Sequence, residues 1–137
     1  MGLYLNPNAD AFQMGLNTEI YVDKSLILSE LNKLVSSQGN FVCLSRPRRF
    51  GKSMAGNMIS AYYSKGCDTR EVFSQMKLGQ EPGFDKYLNK FNVIKLDLNG
   101  WYQNAIVENS VVSLIEEINK SLLVDFRKQF PEIDFEE

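Results

Sequence analysis

Gly51-Lys52-Ser53 is the stretch of this 137-residue chain whose residue types and order could do chemistry. Glycine lets a backbone come close to an anion, and the N–H groups at a helix start point into the same space. Lysine at the next position would neutralise terminal phosphates, and the serine hydroxyl after it would ligate Mg²⁺. The triplet ends the phosphate-loop pattern G-x-x-x-x-G-K-[ST], which here spans Arg46, Pro47, Arg48, Arg49, Phe50, Gly51, Lys52 and Ser53, with Met54 following. Arg46 stands where the pattern begins with glycine. Because Arg46 precedes Pro47, its backbone is biased to an extended form, so the loop begins stiffly and without a glycine turn. A Gly-Lys-Ser/Thr triplet arises by chance in roughly one chain of this length in twenty. Its placement therefore carries the weight: an apolar run stands directly before it and a helical pattern directly after it.

Other chemistry-bearing residues admit more than one reading. Arg46, Arg48, Arg49 and Lys52 put four cations within seven residues, which suits bound phosphates, a nucleic acid or acidic partner, or plain solvation. Asp97 ends an apolar run and could approximate an acidic Mg²⁺ residue, but Lys95 interrupts that run; a strand-end cap or an indirect polar contact competes. Asp23 and Lys24 read as functional residues or, in the preferred reading, as the start of a helix, the carboxylate capping free N–H groups. Cys43 reads as a small core hydrophobe, and Trp101 as a core or interface aromatic, with stacking on a base as the alternative.

Composition excludes several classes. Histidine is absent, which removes His-based triads and zinc sites with a His ligand. Two cysteines are too few for a disulfide scaffold and point to a reducing compartment. Fifteen basic residues against seventeen acidic give a net charge of −2, so no global basic field marks a dedicated nucleic-acid binder. No basic leader precedes an apolar run, and no apolar run is long enough to span a bilayer. A cytoplasmic protein without membrane contact is expected.

These residues need elements to position them. Residues 1–19, rich in Asn, Gly and Pro, read as a loose lead-in. Glu19-Ile20-Tyr21-Val22 is a short strand candidate with Asp23 as an N-cap. Ile27, Leu28, Leu31, Leu34 and Val35 then recur on one helix face until Gly39-Asn40. Phe41-Val42-Cys43-Leu44 is an unbroken apolar run, the pattern of a strand buried on both faces of a parallel sheet. Ser53 to Tyr63 reads as a helix with Met54, Met58, Ile59 and Tyr62 inward. Residues 67–90 are mixed, with a short helix expected around Phe84–Leu88. Val93 to Leu98 is a second strand. A long helix follows over 103–130, holding Val107, Val111, Leu114, Ile115, Ile118, Leu122 and Phe126 on one face before Pro131. The acidic tail covers residues 131–137. Strand, loop, helix, strand, helix in that order argues for an α/β fold with right-handed parallel crossovers.

Three segments in order carry a family resemblance: Tyr21-Val22-Asp23-Lys24-Ser25, then Cys43 through Ser53, then Val93-Ile94-Lys95-Leu96-Asp97. Together they resemble the opening of a large bacterial family of predicted AAA-ATPase-like proteins, over roughly residues 4–100. The run from Arg46 to Ser53 is the most specific part, and the resemblance implies that Arg46 is normal there. It also implies an incomplete three-layer P-loop NTPase core, with a partial parallel sheet flanked by helices over residues 20–130. The expected ligands are ATP and Mg²⁺. Residues 46–54 would bind the nucleotide, with Lys52 as the catalytic cation and Ser53 on the metal.

Family members continue into a Walker B strand, sensor and arginine elements, and often a nuclease-like domain. The chain is expected to stop before that strand, leaving hydrolysis, and any nucleic-acid contact made through such a C-terminal region, to what is missing. An incomplete sheet would expose an edge open to self-association. The alternative function is a module that binds nucleic acid or a partner through its basic loop, with a vestigial nucleotide site.

Overall fold

The helical periods of the sequence fold as helices, whereas the apolar runs do not fold as strands. A computed structural model describes residues 2–45, 51–99, 101–103 and 111–135. In chain order the helices are α1 (Asp10–Leu16), α2 (Leu26–Leu34), α3 (Lys52–Tyr63) and α4 (Arg70–Ser74), a 3₁₀ helix (Lys77–Gln80), and α5 (Val111–Gln129). α2 and α3 fall where their periods put them. α5 falls within the long pattern expected over 103–130, although Val107 lies outside the described residues. Around Phe84–Leu88 the chain forms turns instead of the expected short helix.

No β-strand occurs among the described residues, so the expected partial parallel sheet of a P-loop core is not present in them. Two isolated bridges stand in its place, Leu5 with Ile94 antiparallel and Ser64 with Phe91 parallel. Phe41, Val42 and Leu44, expected to be buried on both faces, are 95%, 55% and 40% exposed. Cys43 is exposed as well, not a core residue. Ile94, Leu96 and Leu98 are also exposed. The physical reason is that a strand is a pairing and not a property of one segment. Hydrophobicity states what an extended segment would bury, but its N–H and C=O groups need a neighbouring backbone.

Residues 93–95 find a short partner in the N-terminal strap Tyr4–Asn6. Asn6 N donates to Val93 O at 2.7 Å and Lys95 N to Tyr4 O at 2.9 Å. Side chains complete this junction: Asn6 Nδ2 donates to Asn92 Oδ1 at 2.9 Å and to Gln129 Oε1 at 2.8 Å. On the other side of the strap, Asp125 of α5 accepts from Tyr4 N at 2.6 Å and from Leu5 N at 3.1 Å. The one buried residue named on α5 is this aspartate. Of its apolar stripe, Val111 and Ile115 are exposed and Leu114, Ile118, Leu122 and Phe126 are half-buried, so the polar contacts to the strap add to a partly covered face.

The core lies between α1, α2, α3, α4 and the 3₁₀ helix, where Phe12, Leu28, Met58, Ala61, Tyr62, Phe73 and Leu78 pack. Phe12 stacks on Phe73 at 5.4 Å between ring centroids, and Tyr62 meets Phe73 edge-on at the same distance. Each such pair adds about 0.5–1.5 kcal/mol beyond its burial. The Tyr62 hydroxyl donates to Phe84 O at 2.6 Å and accepts from Asn32 Nδ2 at 3.0 Å. Asn32 also accepts from the Tyr63 hydroxyl at 2.6 Å, tying α2 to α3. Burial pushes the Tyr62 and Tyr63 hydroxyls upward from the ordinary tyrosine value. At the far end of α3, Asn89 Nδ2 donates to Ala61 O and Ser64 O at 3.0 and 3.1 Å. Those are carbonyls that a helix end leaves without partners. α3 is thereby anchored from its middle to its C-terminus, which fixes where its N-terminus opens.

Candidate functional site

Gly51 is the N-cap of α3, with φ +82° and ψ 25° in the left-handed region. That conformation costs an L-residue about 1–2 kcal/mol, which is the physical case for glycine here. Helix hydrogen bonding starts at once, with Ala55 N donating to Gly51 O at 2.9 Å. No side chain caps the helix and no acid stands in its first turn. The N-cap thus gives the first-turn N–H groups no side-chain acceptor, and no acid of the first turn offsets the positive end of the helix dipole. Lys52 and Ser53 are the first two helical residues and both are exposed; Met54 behind them is half-buried. The remaining expected site residues, Arg46, Pro47, Arg48, Arg49 and Phe50, lie outside the described residues.

A cavity of about 540 Å³ opens beside Gly51. One wall is Met54, Ala55 and Met58 of α3, and another is Ile20, Tyr21, Val22 and Lys24 of the segment leading into α2. Gly15 of α1 and Thr18 close it. A Cβ at Gly15 would meet the flexible end of the Met54 side chain, which lies against this glycine. None of these lining residues is a carboxylate, and Lys24 is the one charged residue among them. The described lining is thus mainly apolar, with the cation of Lys24 beside Gly51. Burial, with the charge of Asp23 adding to it, pushes the Tyr21 hydroxyl upward, so that side chain stays neutral at ordinary pH.

The wall formed by residues 20–24 is held by the two residues that flank Lys24. Asp23 Oδ1 accepts from Ser25 N at 2.8 Å, and its Oδ2 from Lys77 N of the 3₁₀ helix at 2.7 Å. Ser25 Oγ accepts from Leu78 N at 3.0 Å. Burial pushes the Asp23 carboxyl up, but the hydrogen bonds from Ser25 and Lys77 outweigh it and hold it below its usual value. The N-cap of α2 is Ser25 and not Asp23. Asp23 and Ser25 tie the loop across to the 3₁₀ helix, and Lys24 between them reaches Gly51: its Nζ lies 3.4 Å from where a Cβ on residue 51 would stand. Sequence reasoning admits a functional role for Lys24 and prefers a helix start; it does not foresee the contact with Gly51. The available signal was the alternation in Asp23-Lys24-Ser25, two short hydrogen-bonding residues flanking a long cation.

Residues elsewhere separate from this site. Asp97 accepts from Asn99 N at 3.1 Å, a local turn contact, and lines a smaller cavity of about 290 Å³ with Asn57, Ser60 and Lys95. Lys95 donates to Asn57 Oδ1. Trp101 packs on Tyr4 with ring centroids 5.4 Å apart. Among the described residues no cluster of His, Cys, Asp or Glu could hold a metal, so a divalent ion at α3 would depend on Ser53 together with oxygens of its ligand. Chemically, the arrangement at Gly51 suits a molecule with an anionic end and a flat or apolar body.

The family model described as Predicted AAA-ATPase matches residues 11–136. No curated protein and no solved structure matches the chain. None of the described helices is long and apolar enough to cross a membrane.

Proposed function

Because the chain belongs to the predicted AAA-ATPase family, we propose that it binds ATP with Mg²⁺ at the N-terminus of α3. The observation that carries this reading is the cavity that begins at the left-handed Gly51 and runs between Ile20–Val22 and Met54–Met58. The phosphates would lie over the first turn of α3, where backbone N–H groups stand without a side-chain cap. Lys52 would neutralise the terminal phosphates, and Ser53 would contribute its hydroxyl to Mg²⁺, whose other ligands would be phosphate oxygens and water. When bound, the metal would offset negative charge on the phosphates. The base and ribose would occupy the apolar part of the cavity, which at about 540 Å³ is within the usual range for small-molecule sites. Arg46, Pro47, Arg48, Arg49 and Phe50, which lead into Gly51 in the sequence, would complete the phosphate loop.

Hydrolysis needs a group that orients the attacking water. The described cavity walls carry no carboxylate, so this chain is expected to bind ATP far more effectively than it turns it over. The test is titration of ATP·Mg²⁺ into wild type and Lys52→Ala. Loss of a charge-assisted phosphate contact should weaken binding by at least about tenfold. Equal affinities for the two proteins would overturn the reading.

A further inference from the structure

Lys24 lies outside the phosphate-loop pattern, yet its ammonium borders the site. Its Nζ is 3.4 Å from the Cβ position of residue 51, and among the described residues that line the cavity it alone is charged. Its backbone is held from both sides: Asp23 accepts from Ser25 N and Lys77 N, and Ser25 accepts from Leu78 N. A cation held on a braced loop needs less ordering when a ligand arrives than one on a mobile loop. Among the described residues that line the cavity, Ile20, Val22, Met54, Ala55 and Met58 offer a nucleotide apolar surface and no charge. A ligand whose negative charge sits at one end would therefore place that end at Gly51, beside Lys24 and over the first turn of α3.

We infer that Lys24 is a second phosphate-binding cation, and that it selects nucleotides by the number of phosphates they carry. This rests on the nucleotide reading above and goes beyond it. The phosphate loop draws its cations from residues 46–52, whereas the geometry brings a further lysine from the segment that leads into α2. The Asp23-Lys24-Ser25 segment then has a divided role: the aspartate and serine hold the loop, and the lysine meets the ligand.

The experiment measures the affinities of ATP, ADP and AMP for wild type, Lys24→Met, Lys24→Arg and Lys52→Ala, with thermal melting of each protein alongside. Lys24→Met keeps the length of the side chain and removes its charge. It should weaken ATP by at least about tenfold and AMP by less than about twofold, with an intermediate effect on ADP and no change in melting temperature. Lys24→Arg should restore most of the ATP affinity. Equal losses for ATP and AMP in Lys24→Met would show a structural role, and unchanged ATP affinity would show no role; either result overturns the inference. If Lys24→Met fails to fold, Lys24→Arg decides: wild-type-like discrimination between ATP and AMP supports the inference, and lost discrimination in a folded protein overturns it. Wild type that binds none of the three nucleotides overturns the function reading itself, whereas wild type that binds ATP while Lys24→Met binds it equally overturns this inference alone.

Discussion

At position 51 the backbone sits at φ +82°, and the nearest atom to an added Cβ is Lys24 Nζ at 3.4 Å. That is ordinary contact distance, so crowding does not explain the glycine. Backbone strain does. Gly51→Ala should lower stability by about 1–2 kcal/mol, read as a shift in the urea midpoint. It should also reduce ATP affinity, because a helix start that relaxes from this conformation moves the first-turn N–H groups. A stability change near zero would mean that the left-handed conformation is not held in solution. The same residue-scale reasoning separates the three members of the Asp23-Lys24-Ser25 run. Their order was visible in the sequence, but the partners of Asp23 and Ser25 lie more than fifty residues away at Lys77 and Leu78. No local rule finds such a partner, which is why a helix cap was the natural expectation for Asp23.

Among the elements, α2 and α3 follow their sequence periods because each finds a packed face. Leu28 of α2 and Met58, Ala61 and Tyr62 of α3 are buried together. α5 departs from its pattern. Its hydrophobic stripe is real, yet the buried position is Asp125, 4% exposed, whose carboxylate accepts the N–H groups of Tyr4 and Leu5. Hydrophobic periodicity tells that a face is available for burial and not what will cover it. Asp125→Ala should cost about 1–3 kcal/mol by leaving partly or fully buried N–H groups unsatisfied. Hydrogen exchange at Tyr4 and Leu5 should quicken in the variant. Nucleotide affinity should hold, since neither α5 nor the strap lines the cavity beside Gly51. Unchanged exchange at those two amides would show that Asp125 does not hold the strap.

For the molecule as a whole, pH dependence is set at the two ends of the scale because histidine is absent. Asp23 and Asp125 are both held below their usual value: burial raises each, and hydrogen bonds outweigh it, from the Ser25 side chain and the Lys77 and Ser25 N–H groups at Asp23 and from backbone N–H groups of the strap at Asp125. A carboxyl depressed in the folded state stabilises the fold above its unfolded pKa of about 3.9. That contribution is lost as pH falls through the lower, folded value. Tyr21, Tyr62 and Tyr63 shift upward, chiefly through burial. They favour the fold below the unfolded tyrosine pKa of about 10 and lose that contribution as pH rises beyond it. Stability should therefore be nearly flat from about pH 5 to pH 8 and fall on both sides. Asp125→Asn should flatten part of the acid limb in urea denaturation followed across pH. A steep change between pH 6 and 7 would contradict this account.

The sequence by itself determined the local features: the glycine and cations at the head of α3, the helical faces of α2 and α3, and the absence of histidine chemistry. Each depends on the identity and spacing of neighbouring residues, through sterics at Gly51 and a 3.6-residue period. Tertiary structure decided what the apolar runs became. Phe41–Leu44 and Val93–Leu98 have the composition of strands, but strand formation needs a backbone partner from elsewhere in the chain, and among the described residues only the strap at Tyr4–Asn6 supplies one. It also decided that Lys24 stands at Gly51, a meeting of residues 27 positions apart. That contact follows from the long-range tie of Asp23 and Ser25 to the 3₁₀ helix, and those partners lie far outside residues 21–25.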